Sequence, residues 1–138
     1  MTTTRSAFTA RTDSREAANE LLAALHDLTG LHGVRPRVIV FFAGIHHDGA
    51  LLGDPLAARF PDACVLGCST NGEFSETGHG KGGAAALAIG DDRIGACACA
   101  LAEVSDDLER GLARACDAIA ARIGAPLREL DPSRHVGL

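Results

Sequence analysis

Two short apolar runs joined by a helical segment constrain the fold of this chain more than any other feature. Residues 37–42 read RVIVFF, a β-branched and aromatic run that predicts a strand covered on both faces, and residues 63–68 read ACVLGC and predict a second strand. The intervening segment has apolar residues at helical spacing: Leu51, Leu52, Leu56 and Phe60. Pro55 is expected to begin a fresh helical segment there. This order predicts a βαβ unit with parallel strands.

Helices are predicted on either side of this unit. Asp13 followed by Glu16 resembles a capping box, and Gly30 is expected to end the helix that follows. Its apolar stripe consists of Ala17, Leu21, Leu25 and Leu28. Near the end of the chain, Ser105 is expected to cap a helix, with Asp106 and Asp107 in its first turn and a stop at Gly124 and Pro126. The stripe of that helix consists of Leu108, Leu112, Cys116, Ile119 and Ile123.

Residues 78–101 predict a glycine-rich loop and a hairpin. Residues 78–83 read GHGKGG, which is typical of a mobile loop, and residues 84–89 and 94–101 are short apolar runs separated by GDDR. The predicted fold class is therefore α/β: a mixed β-sheet with a βαβ core plus an antiparallel hairpin, covered by amphipathic helices. Residues 1–12 are expected to supply an edge strand, 13–130 the domain, and 131–138 a tail in which a further strand would begin.

Composition and charge exclude several functions. A net charge of −5, with no Trp or Tyr and five Phe, argues against a nucleic-acid surface. No segment resembles a signal peptide, and the longest apolar run, 38–45, is too short to span a membrane, so we expect a cytoplasmic protein. The five cysteines show no disulfide framework and are expected to be reduced.

Polar side chains follow both predicted strands where each strand ends. One loop carries His46, His47 and Asp48, and the other has the sequence STNGEF, residues 69–74. Open sheets bind ligands at the carboxyl ends of parallel strands, so these two loops predict a binding site. The alternative is a structural turn, because Asn71-Gly72 is a strong turn sequence. Spacing alone leaves both interpretations open.

Several segments resemble catalytic or phosphate-binding motifs, but each lacks a required residue, and no metal-binding motif is present. The sequence GCSTNG lacks the last glycine of a nucleophile elbow because Asn71 stands there. The GHGKGG loop fails as a phosphate loop because Ser75 and Gly82 replace two required residues, and no C-x-x-C pair suggests zinc. We therefore expect no catalytic residue, no metal and no cofactor. The alternative is a nucleophilic Cys68 with His79 or His46 as its base.

Residues 65–74, VLGCSTNGEF, resemble the core of the FIST N-terminal domain family, the sensory domain named for F-box and intracellular signal-transduction proteins. The family pattern is G-C-S-[ST]-x-G-E. The matching residues are Gly67, Cys68, Ser69, Thr70, Gly72 and Glu73. The resemblance extends outward to the strand ending in Phe41-Phe42 and to the helix closed by FPDA, residues 60–63. It departs at Asn71, where Ala is usual, and at the pair His46-His47.

The resemblance implies a non-catalytic cytoplasmic sensory module that binds a small metabolite, an amino acid or derivative, and signals to a partner. The implied ligand-binding residues are Gly67, Cys68, Ser69, Thr70, Asn71, Gly72, Glu73, His46, His47 and Asp48. The sequence ends after the last helix, so it resembles a truncated member lacking the FIST C-terminal domain, and we expect self-association through an exposed sheet edge. The alternatives are a cysteine-dependent hydrolase or transferase using Cys68, and a structural interaction domain. Nucleic-acid and membrane partners are not expected.

Overall fold

The first unit of the chain, Met1–Gly95, is built on a four-stranded sheet of order β1-β6-β2-β3. The computed structural model describes residues 4–32, 34–76, 78–92, 94–103, 105 and 107–137. The elements of this unit are β1 Thr4–Thr9, α1 Ser14–His32, β2 Pro36–Gly44, α2 Gly49–Arg59, β3 Cys64–Thr70, β4 Glu73–Ser75, β5 Gly78–Gly80 and β6 Ala84–Gly90. The mixed α/β class is confirmed.

The predicted βαβ unit is present. β2 and β3 pair in parallel, in a register that runs from Val38 opposite Cys64 to Gly44 opposite Thr70. Between them α2 is one continuous helix with Pro55 inside it, so the predicted fresh start at Pro55 is wrong. The proline removes one backbone hydrogen bond, yet the helix continues because Leu52 and Leu56 on either side of it are fully buried.

Helix α1 begins as predicted and ends later than predicted. Asp13 Oδ1 accepts hydrogen bonds from the backbone N–H groups of Arg15 and Glu16, each at 3.0 Å. The helix then continues to His32, so the predicted end at Gly30 is wrong. A glycine in a helix costs about 1 kcal/mol relative to alanine, which by itself does not stop the helix. The side chain of Leu28 lies outside the described residues.

The two faces of the sheet differ in how they are covered. On one face, apolar residues of β2 and β6 pack with α1 and α2 in a single core. The largest fully buried side chains of that core are Leu21, Leu25, Ile39, Leu52 and Leu56. On the other face, Phe42, Leu66 and Leu87 remain 45%, 37% and 39% exposed, and we call these three residues the open face. The prediction that residues 37–42 are covered on both faces is therefore wrong.

The hairpin lies elsewhere than predicted. Residues 84–89 do form a strand, β6, but residues 94–101 form none. β6 pairs antiparallel with β1 on one side and with β2 on the other, so neither of its edges is free for a following strand. The antiparallel hairpin is formed by β4 and β5, and part of the predicted glycine loop 78–83 is therefore a strand.

The second unit, Ala96–Leu138, contains helix α3, Leu108–Ile123. Asp107 Oδ1 accepts a hydrogen bond from Arg110 N–H at 2.9 Å and caps the helix, so the prediction of Ser105 as the cap is wrong by two residues. Asp106 lies outside the described residues. Gly124 ends the helix at φ +82°, as predicted. None of the α3 residues is buried, and Leu108 is 56% exposed.

After α3 the chain forms a short 3₁₀ turn, Leu127–Glu129, and residues 131–137 contain turns but no strand. Across the parts of the chain described above, no helix combines the length and the apolar character that crossing a membrane requires.

A polar cluster ties β1 to the first turns of α1. Thr9 Oγ1 donates to Glu20 Oε2 at 2.5 Å, and Arg11 Nε donates to Glu20 Oε1 at 2.7 Å. The bond from Thr9, and then that from Arg11, lowers the pKa of the Glu20 carboxyl below its ordinary value. A carboxyl with a lowered folded-state pKa adds stability above its unfolded pKa, and this contribution is lost as the pH falls through the folded pKa.

We expect Glu20→Gln to lower the melting temperature at neutral pH, because the amide loses the charge-assisted bonds from Thr9 and Arg11. The deficit relative to the parent should shrink as the pH falls through the lowered pKa of the Glu20 carboxyl, because the parent side chain then also takes up a proton. Thermal unfolding followed by circular dichroism at several pH values measures this. Glu109→Gln on α3 is the matched control for the loss of one charge. A deficit that does not change with pH would contradict the expectation.

Candidate functional site

A pocket of about 430 Å³ lies where β2 and β3 end and α2 begins. Its lining residues are Phe41, Ala43, Gly44, His47, Gly49, Gly53, Asp54, Ala57, Val65, Gly67, Cys68 and Ser69. We call it the strand-end pocket. The parallel register brings the two strand ends to the same edge of the sheet, since Ala43 pairs with Ser69 and Gly44 with Thr70. The pocket therefore occupies the position at which open parallel sheets bind ligands.

The base of the pocket depends on one glycine of β3. A Cβ atom at Gly67 would lie 2.1 Å from Cζ of Phe41, so only glycine fits beside that ring. The Phe41 ring is 6% exposed and also approaches α2, where a Cβ at Gly53 would lie 3.7 Å from it. Gly67, which belongs to the family-like core of the sequence, thus makes room for the apolar surface against which a ligand would lie.

The polar groups of the pocket differ in charge and in chemistry. Asp54 contributes a carboxylate, Ser69 a hydroxyl and His47 an imidazole. Cys68 also lines the pocket, but it lies opposite Phe42 in the β2–β3 register, so its thiol is on the other face of the sheet. The first residue of α2, Gly49, also lines the pocket, and the amino end of a helix carries partial positive charge. The pocket therefore offers a negative group and a positive helix end to one occupant.

The ring of His47 is held by hydrogen bonds on both nitrogens. Nδ1 lies 3.0 Å from Ser14 Oγ, which accepts from Asp48 N–H at 3.0 Å, and Nε2 lies 3.2 Å from the carbonyl oxygen of Gly82. A carbonyl only accepts, so Nε2 donates to Gly82, and Ser14 Oγ is the hydrogen-bond partner of Nδ1. The imidazole is consequently fixed in orientation at the wall of the pocket.

His46 stacks on His47 and binds the same carbonyl. The ring centroids are 4.8 Å apart, and His46 Nε2 lies 3.1 Å from the Gly82 oxygen. Gly82 has φ +82°, and a Cβ there would lie 2.8 Å from Cε1 of His46. The two histidines therefore hold residues 80–83, which we call the glycine segment. His46 itself does not line the strand-end pocket.

Glu73 supports the same segment from within the protein. Its side chain is 2% exposed, and Oε2 accepts a hydrogen bond from Gly83 N–H at 3.2 Å. Gly83 O in turn accepts from Gly44 N–H at 3.0 Å, next to the pocket. The other oxygen of Glu73, Oε1, has no hydrogen-bond partner among the described residues. Glu73 does not line the pocket, so its position is that of a buried brace for the glycine segment.

The remaining predicted site residues form a turn and a helix cap. Thr70 Oγ1 donates to Gly72 O at 3.0 Å and accepts from Gly72 N–H at 3.3 Å, with exposed Asn71 between them. Asp48 Oδ1 accepts from Ala50 N–H at 2.9 Å and caps α2. The structure thus brings Gly67, Cys68, Ser69 and His47 into the pocket and places the others around it. Their part in ligand binding stays a prediction.

Sequence reasoning missed the pocket residues contributed by α2. Gly49, Gly53 and Asp54 all line the pocket, and the first two are four residues apart. Residues at this spacing lie on one face of a helix, so two glycines open a shallow groove along it. The sequence GALLGDP, residues 49–55, contains this spacing of two glycines and the adjacent aspartate.

The structure contains no close cluster typical of a metal site within the residues it describes. No group of three or more His, Cys, Asp and Glu side chains there could hold a metal ion. The thiol of Cys68 is exposed and lies on the same face of the sheet as Phe42, and among the described residues it forms no hydrogen bond with a histidine.

We expect Gly67→Ala to destabilise the first unit by about 1–3 kcal/mol, because the added methyl overlaps the Phe41 ring and forces it to move. Gly53→Ala is the matched variant on the other side of the same ring. Its methyl makes an ordinary contact, and alanine favours the helix by up to about 1 kcal/mol. Urea unfolding of both variants measures the difference. Equal stability of the Gly67→Ala variant and the parent would contradict this packing.

Comparison with known proteins identifies one family. The FIST N domain model matches residues 37–136, a range that extends from β2 to the turns after α3 and contains all strand-end pocket residues. No curated protein and no solved structure matches significantly. Because the family model covers well over half of the chain, this protein belongs to the FIST N domain family.

Proposed function

We propose that this chain is a non-catalytic, cytoplasmic sensory module that binds a small metabolite, an amino acid or derivative, in the strand-end pocket and signals its occupancy to a partner. Family membership supports the sensory role, since FIST N domains are associated with sensing and signal transduction. The observation that carries the ligand assignment is the strand-end pocket itself, which has an apolar base and polar groups around it.

The charges around the pocket support a zwitterionic ligand. Asp54 is suited to an ammonium group, because a charge-assisted hydrogen bond is about twice as strong as a neutral one. The amino end of α2 and the hydroxyl of Ser69 are suited to a carboxylate. The apolar side chain of an amino acid would then lie over Phe41. In this arrangement Glu73 and His46 act through the glycine segment, without touching the ligand.

Two contacts leading away from the pocket suggest how occupancy is passed on. His47 is bonded to Ser14, the first residue of α1, and to Gly82 in the glycine segment. A ligand that displaces the His47 ring changes both contacts, and it shifts the conformational equilibrium by its difference in affinity for the two states. The exposed surfaces of α1 and of the glycine segment are therefore the surfaces on which a partner would detect the change.

We expect Asp54→Asn to weaken ligand binding by about tenfold or more, since a hydrogen bond to a charged group contributes about 1.5–3 kcal/mol. The ligand is first found by a thermal-shift screen of amino acids and their derivatives, and affinity is then measured by titration calorimetry. Asp117→Asn on α3, outside the strand-end pocket, is the matched control for the lost charge. Unchanged affinity in the Asp54→Asn variant, or no stabilising compound in the screen, would count against the proposal.

A second candidate function is a hydrolase or transferase that uses Cys68. The thiol of Cys68 is exposed at the end of β3, and this observation alone favours it. The position of Cys68 on the same face as Phe42 argues against it, and both ring nitrogens of His47 already form hydrogen bonds, with Gly82 and with Ser14. A base with both nitrogens occupied cannot take the thiol proton until one bond breaks.

We expect an electrophile such as iodoacetamide to label Cys68 at neutral pH no faster than the other exposed cysteine, Cys116, because no base activates it. Mass spectrometry of tryptic peptides gives the rate at each site. Labelling of Cys68 many times faster than Cys116, and slowed by His47→Asn, would favour the enzymatic interpretation.

A further inference from the structure

The strand-end pocket is a groove between α2 and β3. Helix α2 leads from the end of β2 back to the beginning of β3, and the two strands are parallel, so α2 runs in the opposite direction to β3. The lining residues Gly49, Gly53 and Ala57 of α2 are each four residues apart and therefore lie along one face of the helix. They extend for about 12 Å, at about 1.5 Å per residue.

Strand β3 forms the opposite wall of this groove. Val65, Gly67 and Ser69 alternate along the strand, so they lie on one face of the sheet, and each of them lines the pocket. They extend for about 13 Å, at about 3.3 Å per residue. Because the helix and the strand run in opposite directions, Ser69 lies at the same end of the groove as Gly49. Val65 lies at the same end as Ala57, so the groove has a polar end and an apolar end.

Two glycines leave the middle of the groove open. The ring of Phe41 lies between them: a Cβ at Gly53 would lie 3.7 Å from Cε1 and Cζ of the ring, and a Cβ at Gly67 would lie 2.1 Å from Cζ. Any side chain at Gly53 would therefore occupy the groove beside the ring. Without a side chain there, the polar end of the groove is continuous with the apolar end.

We propose that the strand-end pocket selects an amino acid or derivative with a long apolar side chain, and that Gly53 determines how long a chain fits. This inference rests on the function proposed above and specifies the ligand class for the same site. The charged groups of the ligand lie near Asp54 and Ser69. The side chain passes Gly53 and ends between Val65 and Ala57.

The size of the pocket supports a long side chain. A volume of about 430 Å³ has room for roughly fourteen water molecules, at about 30 Å³ each. A short amino acid such as alanine displaces only part of this water and leaves the apolar end hydrated. A longer apolar chain removes the surfaces of Val65 and Ala57 from water, and the free energy gained is proportional to the apolar area buried.

Titration of the full chain with L-alanine, L-norvaline and L-norleucine, followed by nuclear magnetic resonance, tests this inference. In the parent, affinity should rise up to about fourfold for each added methylene. Gly53→Ala should remain folded, since its methyl group makes an ordinary contact with the Phe41 ring. Because this methyl takes up room in the groove, affinity for L-norleucine should fall about tenfold, whereas affinity for L-alanine should change less than about twofold.

Gly49→Ala is the matched control. Gly49 lies on the same face of α2 and also lines the pocket, but a Cβ there would meet no atom within 4 Å. This variant should therefore leave the ratio of the affinities for L-norleucine and L-alanine unchanged. A measurement on the parent needs no variant: nuclear Overhauser effects should connect the terminal methyl group of bound L-norleucine with the methyl groups of Val65 and Ala57.

The outcomes separate this inference from the proposed function. Affinities that do not depend on chain length, an equal change of the affinity ratio in both variants, or a terminal methyl group without contact to Val65 would overturn the inference alone. Failure of all three amino acids to bind would overturn both the inference and the assignment of an amino acid to the pocket.

Discussion

The parallel pairing of β2 with β3 determines the position of most other features of the first unit, because it aligns the two strand ends residue by residue. Gly44 lies opposite Thr70, so the turn into α2 and the polar turn after β3 emerge at the same edge. Helix α2, which connects the two strands, then necessarily lies over that pair and brings its amino end to the same place. The pocket follows from connectivity and register, before any individual side chain is considered.

Close approach of backbone segments is the second constraint on this architecture. A Cβ at Gly83 would lie 2.1 Å from Thr9 O, and one at Gly44 would lie 2.7 Å from Gly82 Cα. Neither position has room for a side chain, because β1, β2 and the glycine segment meet there. The segment has a defined place in the fold, with Gly82 and Gly83 held by His46, His47, Glu73 and Gly44. Gly82 and Gly83 are thus required for close backbone packing as well as for the conformation of the turn.

Local sequence predicted the elements whose signals do not depend on distant residues. The βαβ unit, the cap at Asp13 and the stop at Gly124 follow from apolar runs and from single residues acting on their neighbours. Residues 94–101 were misassigned because their apolar composition favours a strand, whereas β6 already pairs with a neighbour on each side. Strand propensity does not indicate whether a sheet still has an unpaired edge, and the predicted hairpin was wrong for this reason.

The candidate site was predicted in part for a similar reason. The predicted topology was sufficient to locate the strand ends and their polar loops. The buried position of Glu73, in contrast, involves a hydrogen bond with Gly83, ten residues away. The sequence alone does not distinguish a carboxylate that faces solvent at the end of a polar run from one that is buried under a loop. Asp54 was overlooked for the opposite reason, since an acidic residue on a helix is normally only a solvated surface group. Three-dimensional contact decides both cases.

The bond between Ser14 and His47 joins the beginnings of two helices at one hydroxyl group. Ser14 is the first residue of α1, and its Oγ accepts from Asp48, the residue that caps α2. At 1.5 Å per residue the 19 residues of α1 extend for about 28 Å. Both α1 and α2 begin at one hydroxyl group, which the His47 ring also contacts. Loss of the Ser14 hydroxyl would therefore remove a contact from the first turns of both helices at once.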